Sequence, residues 1–440
     1  MDSKYYPRKV YIALEEWSKE AGRKPLLLRG ARQVGKTTVV RQLGKNFKHY
    51  VEVDLNEHPE LHSLFALGHS PQEICSQLEL IFRTPIVAGS TLLFLDEIQA
   101  CPAAINQLRY FYEKHPQLHV IAAGSLLEFA LEELPTFGVG RIRSIFVYPF
   151  SFMEYLWAAG ENLLANAIAR ADAGHPLFDA VHQKALGYLR AFLIVGGMPE
   201  AVKTYMESGS LLAAQRVLDD LLVSFRADFV KYRRFLPEER LDEVMLAVAE
   251  QGHAKFVYSK ASAGGRMESV KKALNALILA GLVYPVTHTA ANGIPLGAEV
   301  DRKRQRMILF DTGLLQRILR LDMADILLTE DFNVINKGAI AEVFVGCELL
   351  KAASCFERQE LYYWRREEKN SNAEVDYVVT RRRSIVPIEV KSGTRGSMQS
   401  LRLFMEKKRL SVGIRTSLEN FGQYGNIRVY PLYAIGNVVE

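Results

Sequence analysis

Lys36 and Thr37 lie in the run Gly30-Ala31-Arg32-Gln33-Val34-Gly35-Lys36-Thr37-Thr38, which has the spacing G-x-x-x-x-G-K-[ST]. The apolar segment Pro25 to Leu28 precedes it, and Val39, Val40 and Leu43 follow at helical spacing. Strand, glycine turn and helix are the context in which this spacing forms a phosphate cradle. The glycines let successive N–H groups face one anion, and the helix N-terminus adds partial positive charge. In such a loop the Lys36 ammonium reaches the β- and γ-phosphates and the Thr37 hydroxyl ligates Mg²⁺. The expectation is an ATP and Mg²⁺ site on residues 30 to 38.

A triphosphate site of this kind needs carboxylates. Thr91-Leu-Leu-Phe-Leu-Asp96-Glu97 supplies an apolar run ending in two acids, as a buried parallel strand delivers them at its C-terminal edge. Asp96 is the expected magnesium partner and Glu97 the residue that orients or polarises the attacking water. A further strand, His119 to Gly124, ends at Ser125, placed to sense the γ-phosphate. After the glycines 138 and 140 come Arg141 and Arg143. Arg141 is read either as a finger reaching the γ-phosphate of a neighbouring subunit or as a solvated surface residue. The finger requires a homo-oligomer.

A second constellation lies near the other end. Gln359–Arg365, Glu374–Val379 and Ile385–Lys391 read as a three-stranded meander by alternation and turn chemistry. Glu389 and Lys391 share one face of their strand, and Asp376 lies on the neighbouring strand. Asp376, twelve intervening residues and Glu389-Val390-Lys391 match the spacing of a PD-(D/E)xK nuclease. There carboxylates hold a divalent ion and lysine helps to activate water. Glu342, on a helix from Asn336 to Leu350, fits an additional acid, and Gln399 an auxiliary polar residue. The metal set is then Glu342, Asp376 and Glu389, with Asp376, Glu389 and Lys391 catalytic. Cleavage and mere binding are both compatible with these residues. Pro387, lacking an N–H, implies an edge or a bulge just before Glu389.

Positioning these groups takes several modules. Apolar residues recur at helical spacing from Glu161 to Phe235, ending near Lys231-Tyr-Arg-Arg234, which reads as a helical lid. Residues 240 to 313 give a helix, a short turn-helix to Ala263, a Gly264-Gly265 break, a third helix and two strands. That is a winged-helix order. Arg266, Lys271 and Lys272 on the third helix are phosphate-contacting candidates, with Arg302, Lys303, Arg304 and Arg306 on a wing loop. A structural lid or protein dock is the competing reading, so DNA and protein partners both stay open.

The whole chain has 440 residues, 55 Lys+Arg against 50 Asp+Glu, and 49% hydrophobic residues. These are globular values, which exclude a collagen, a disordered chain or a coiled-coil rod. Cys75, Cys101, Cys347 and Cys355 form no C-x-x-C pair, so a disulfide framework or structural zinc site is not expected. No apolar run reaches about 18 residues, so the expectation is a soluble cytoplasmic protein without a membrane span.

Gly30–Thr38, Leu95–Gln99, Ala123–Leu127, Gly140-Arg141, Tyr148–Glu154 and Gly196–Glu200 together resemble AAA-type ATPases of the STAND-like bacterial and archaeal group with a C-terminal DUF4143 domain. The resemblance extends over nearly the whole chain. It implies an α/β architecture: a P-loop NTPase core, a helical lid, a winged helix and a restriction-endonuclease-like, PD-(D/E)xK-like α/β C-terminal domain. The expected division is 1–158, 159–238, 239–330 and 331–440.

Overall fold

The computed structural model describes residues 5–66, 68–133, 140–229, 238–252, 254–261, 266–321, 337–366, 373–393 and 396–439. Gly138, the Lys231–Arg234 run, Ala263, Gly264-Gly265, Asn336 and the turn at 369–372 lie outside the described residues. The chain separates into two compact units, 1–149 with 354–358, and 150–353 with 359–440.

In the first unit the apolar runs ending at Arg29, Asp96 and Ala123 are buried on both faces, and they form the centre of one parallel sheet that needs cover on both. Its strands are β1 Leu26–Arg29, β2 His49–Asp54, β3 Thr91–Asp96, β4 His119–Ala123 and β5 Arg143–Phe146, in spatial order β2-β3-β4-β1-β5. The helices are α1 Lys9–Lys19, α2 Lys36–Gly44, α3 Pro71–Phe82, α4 Pro102–Lys114 and α5 Leu127–Glu133. Apolar side chains of α3 and α4, among them Ile74, Leu78, Ile105, Leu108 and Phe111, pack on Val51, Leu93 and Val120 of the sheet. The order matters for chemistry: β4 lies between β1 and β3. The loop after β1, the two acids ending β3 and Ser125 after β4 therefore emerge side by side.

The second unit begins with five helices, α6 Phe152–Ala158, α7 Asn162–Arg170, α8 Asp179–Val195, α9 Pro199–Ser208 and α10 Leu211–Phe229. Two of the resembling motifs prove to be one structural knot here. Ser151 and Glu154 form a reciprocal capping box that starts α6. Phe150 N donates to Gly197 O at 2.7 Å, and Gly197 N donates to the buried Asp311 carboxylate at 2.6 Å. A Cβ on Gly197 would stand 2.3 Å from Phe150 O, so only glycine admits this approach. Asp311 also caps α13 Thr312–Ile318 through Leu314 N, tying both motifs to a third segment.

Next come α11 Glu238–Gln251, α12 Met267–Leu279, β6 Val283–Thr289 and β7 Val300–Leu309. The remaining elements are α14 Lys337–Ala352, β8 Leu361–Arg365, β9 Glu374–Arg381, β10 Ser384–Val390, α15 Gln399–Lys408, β11 Gly413–Ser417, β12 Gly422–Tyr424 and β13 Ile427–Pro431. The expected meander is present: β8, β9 and β10 pair antiparallel in sequence order. After α15 the chain returns as β11, parallel to β10.

Two expectations need correction. The basic run 301–306 is not a wing loop: it lies within β7, antiparallel to β6. That hairpin does not stand apart either, because β6 pairs in parallel with β8, giving one eight-stranded sheet of order β12-β13-β11-β10-β9-β8-β6-β7. Pro387 is also not on an edge strand. It is paired with Val378 of β9, without a bulge in that ladder, and β10 begins to pair with β11 only at Ile388. Proline is thus accommodated one residue before the second ladder begins.

The four cysteines are free thiols. Among the described residues no helix is long and apolar enough to cross a membrane.

Candidate functional site

Between β1 and α2 the backbone turns through Gly30 at φ 144°, Gln33 at φ 62° and Gly35 at φ 91°. Gly35 is the N-cap of α2, and the first helical bond runs from Val39 N to Gly35 O. The N–H groups before Val39 therefore have no partner within the helix and are open to an anion. Ala31 and Val34 are buried, Arg32 and Thr37 half-buried, and Gln33 and Thr38 exposed. Lys36 is buried and its Nζ donates to Gly30 O at 2.9 Å and Ala31 O at 2.8 Å. Burial pulls its pKa down to about 8, against the opposing pull of Glu97 and Asp96.

Thr37 Oγ1 donates to Asp96 Oδ2 at 2.6 Å, and Asp96 Oδ1 accepts from Glu97 N at 2.9 Å. Hydroxyl and carboxylate thus converge from α2 and β3 on one point. This donor set fits a hard divalent ion. Burial raises the Asp96 pKa, against the hydrogen bond from Thr37. Glu97 sits in left-handed backbone at φ 46°, an unusual conformation for a side chain this large. Its carboxylate accepts from Ser125 Oγ at 3.0 Å and from Gln99 Nε2. Glu97 and Ser125 are therefore in direct contact.

Three further residues hold this site and were not read as functional. Gln99 grips Glu97. Arg8, from α1's N-cap position, donates to Val34 O at 3.0 Å and Tyr148 O at 2.6 Å, clamping the loop apex. Arg29, adjoining Gly30, makes a two-pronged contact with Glu128 of α5, with Nε to Oε1 at 2.5 Å. Each contact joins residues too remote in sequence for spacing to reveal, apart from Gln99, whose place two residues after Glu97 was a usable signal. Arg141 is ion-paired with Glu113 of α4 and remains partly exposed.

Gly30 provides a sharp test. A Cβ there would lie 2.2 Å from Val147 O, a backbone atom that cannot swing aside, at a φ that disfavours alanine. Gly30→Ala is expected to destabilise this unit by about 3 kcal/mol. It should also abolish binding of a fluorescent ATP analogue, read beside the thermal midpoint.

The second constellation also assembles. Lys391 Nζ contacts Glu389 Oε1 at 2.6 Å, and Asp376 Oδ2 accepts from Val390 N at 2.8 Å. Gln399 opens α15, its N–H on Ser397 Oγ at 3.2 Å. An unforeseen cation stands among the acids. Arg306, assigned to the wing, is 5% exposed, with Nη1 3.2 Å from Glu342 Oε2 and 3.7 Å from Asp376 Oδ1, and Nη2 on Glu374. Its guanidinium also lies 4.7 Å from the Tyr363 ring centroid. Burial works against its charge, but the three carboxylates outweigh this and raise its pKa. Burial and the Asp376 charge push Glu389 up to about 7. Glu389 Oε2 is shut off from water without a hydrogen-bond partner. Among the described residues no three His, Cys, Asp or Glu side chains are arranged to hold a metal ion. As arranged, Glu342 and Asp376 are ion-paired with Arg306 and Glu389 with Lys391, a set that does not fit a divalent ion.

Comparison with known proteins adds three family matches. Residues 22–156 match an AAA domain, 187–325 the domain of unknown function DUF8612, and 337–435 the domain of unknown function DUF4143. No curated protein matches. Similar solved structures include a Walker-type ATPase of Pyrococcus abyssi, at 16% identity and TM-score 0.46, covering 72% of this chain and 96% of that one. The Aeropyrum pernix Orc1 protein in complex with DNA gives 14% identity and TM-score 0.28, covering 74% and 95%. Thermotoga maritima RuvB gives 16% and 0.26, covering 62% and 86%. These likenesses are too slight to carry activity or partners. The AAA match, together with the loop, the buried lysine and the paired acids it spans, makes residues 22–156 the P-loop ATP hydrolase part of this chain, and residues 337–435 match a DUF4143 domain.

Proposed function

We propose a Mg²⁺-dependent ATPase, of the STAND-like kind, that couples ATP binding and hydrolysis to DNA engagement by a winged-helix segment and a nuclease-like domain. The observation that carries the ATPase half is the contact of Thr37 with Asp96 beside Glu97. Thr37 and Asp96 hold the ion, which when bound neutralises charge on the phosphate oxygens. Lys36 exchanges its two carbonyl partners for phosphate oxygens, and N–H groups of the loop and of the first turn of α2 receive the rest. Glu97, steadied by Ser125 and Gln99, orients the attacking water. Arg141 leaves Glu113 to serve a neighbouring copy in a homo-oligomer.

DNA engagement is supported by the order α11, short helix, α12, β6, β7, and by exposed Arg266, Lys271, Lys272, Arg302 and Lys303. Lys272 is paired with Glu268, and Arg304 with Asp301. The nuclease-like reading is supported by the topology α14, β8-β9-β10, α15, β11, with acids on α14, β9 and β10. The expected four-part division remains our reading of the modules. Arg306 favours a second reading of that domain, in which it binds without cutting.

The test is an ATPase assay on the intact chain and on Glu97→Gln, with and without duplex DNA, reading the same samples for strand scission in Mg²⁺ and Mn²⁺. Stimulation by DNA, weakening steeply with salt, with no scission, is expected. No response to any nucleic acid overturns DNA coupling, and scission lost on Asp376→Asn overturns the silent domain.

A further inference from the structure

One cavity of the second unit has been given no role. It measures about 860 Å³, within the range of roughly 300 to 1,000 Å³ typical of small-molecule sites. Six arginines line it, from four separate segments: Arg170 ends α7, Arg381, Arg382 and Arg383 form the β9–β10 corner, Arg409 follows α15, and Arg428 lies on β13. The lining contains one carboxylate, Asp172, whose Oδ1 already accepts the N–H groups of Gly174 and His175 at 2.8 Å. Among the described residues none of the six arginines has an acidic partner. Arg381 Nε is withdrawn from water and has no acceptor.

Solvated surfaces usually intersperse such charge, because like charges at close range repel. Here the backbone enforces the crowding. Arg382 and Arg383 occupy the two central positions of a two-residue hairpin with φ of 46° and 64°. That is the pattern of a type I′ turn, which favours Asn-Gly. Arg409 follows α15 at φ 54°, where glycine is the usual choice. Three of the six arginines thus hold left-handed backbone that smaller residues would hold more easily. Strain kept at one cavity points to a function for the residues that bear it.

The cavity is separate from the acidic cluster. None of its carboxylates lines the cavity, and Glu389 stands three residues beyond Val386, the last lining residue of β10, roughly 10 Å along the strand. The floor includes Val386, Ile414 and Tyr430, all buried, which offer an apolar wall to an organic body.

We propose that this cavity binds a compact organic polyphosphate, several phosphate groups borne on one small molecule, at a site distinct from the P-loop. Convergence of guanidinium groups from four segments on a concave space suits a multiply charged ligand that enters end-on. Arginine supplies forked donors for phosphate oxygens, and the shielded Nε of Arg381 gains an acceptor.

The test uses the full chain carrying Lys36→Ala, so that the P-loop does not compete, with inorganic tripolyphosphate as the probe in isothermal titration calorimetry. One-to-one binding is expected. Arg382→Gln with Arg428→Gln should weaken it by about tenfold or more for each arginine removed, and the lysine pair should restore part of the loss. The arginines exchanged are exposed, so the circular dichroism spectrum should be unchanged. Absence of tripolyphosphate binding, or binding indifferent to the glutamine pair, overturns the proposal. Duplex DNA binding lost in the glutamine pair, with tripolyphosphate not bound, also overturns it and reassigns the cavity to nucleic acid. Because ATP hydrolysis in the otherwise unaltered chain does not involve these arginines, failure here is distinguishable from failure of the ATPase reading.

Discussion

Lys36→Ala is expected to lower ATP hydrolysis by about 10³-fold, near 4 kcal/mol of transition-state stabilisation. Lys36 seats its ammonium at the Gly30–Gly35 turn, buried and held by two carbonyl oxygens. Those carbonyls position the charge without neutralising it, so a phosphate arriving there meets a preorganised cation. Alanine removes the charge and leaves the Gly30 and Ala31 carbonyls facing the phosphate. The pH dependence follows from the same burial. With its pKa near 8 in the free protein, Lys36 is charged at pH 7 and loses its proton as pH rises through 8. Above that point polyphosphate binding must take up a proton, so affinity should fall by up to about tenfold per pH unit. The decline should vanish in Lys36→Ala. Fluorescent-nucleotide titrations from pH 7 to 10 measure it; a flat profile in the unaltered chain contradicts the assignment.

Arg306→Met is expected to destabilise the second unit by about 3–5 kcal/mol, the range for stranding one side of a buried ion pair. Methionine keeps much of the volume but leaves Glu342, Glu374 and Asp376 facing one another without a cation. Burial and the Asp376 charge already hold Glu342 well above the ordinary carboxylate range. Removing the guanidinium raises the Glu342 and Asp376 pKa values further, so the folded state binds more protons than the unfolded chain. Stability then rises as pH falls, and the loss is largest at pH 8 and smaller at pH 5. Urea unfolding at both values checks the magnitude and the sign. A loss below about 1 kcal/mol at pH 8 means that the cluster is more solvated than its burial indicates.

Legibility differed between the two sites for a physical reason. A phosphate-binding loop works through main-chain N–H groups of consecutive residues, so its chemistry is written in contiguous spacing, and Gly30, Gly35, Lys36 and Thr37 stand where that spacing placed them. Asp96 and Glu97 were readable because an apolar run ending in acids is the signature of a buried parallel strand. Strand alternation likewise made Asp376, Glu389 and Lys391 readable as candidates, and Lys391 contacts Glu389. The residues that tune these sites were not readable. Arg8 reaches Val34, Arg29 reaches Glu128, and Arg306 reaches Glu342 and Glu374 across long stretches of chain.

Local pattern alone determined that this protein has a nucleotide cradle, a strand delivering two acids beside it, and a meander carrying an acid–lysine pair. Tertiary structure decided what those groups face. A strand's periodicity tells which residues share a side, but not which sheet edge a hairpin joins. That choice depends on the total burial and hydrogen bonding available to distant segments. Joining β6 and β7 to β8 turned a presumed wing cation into the buried partner of three carboxylates. The same sheet brought the β9–β10 corner and β13 beside the ends of α7 and α15, gathering six arginines from four separate segments.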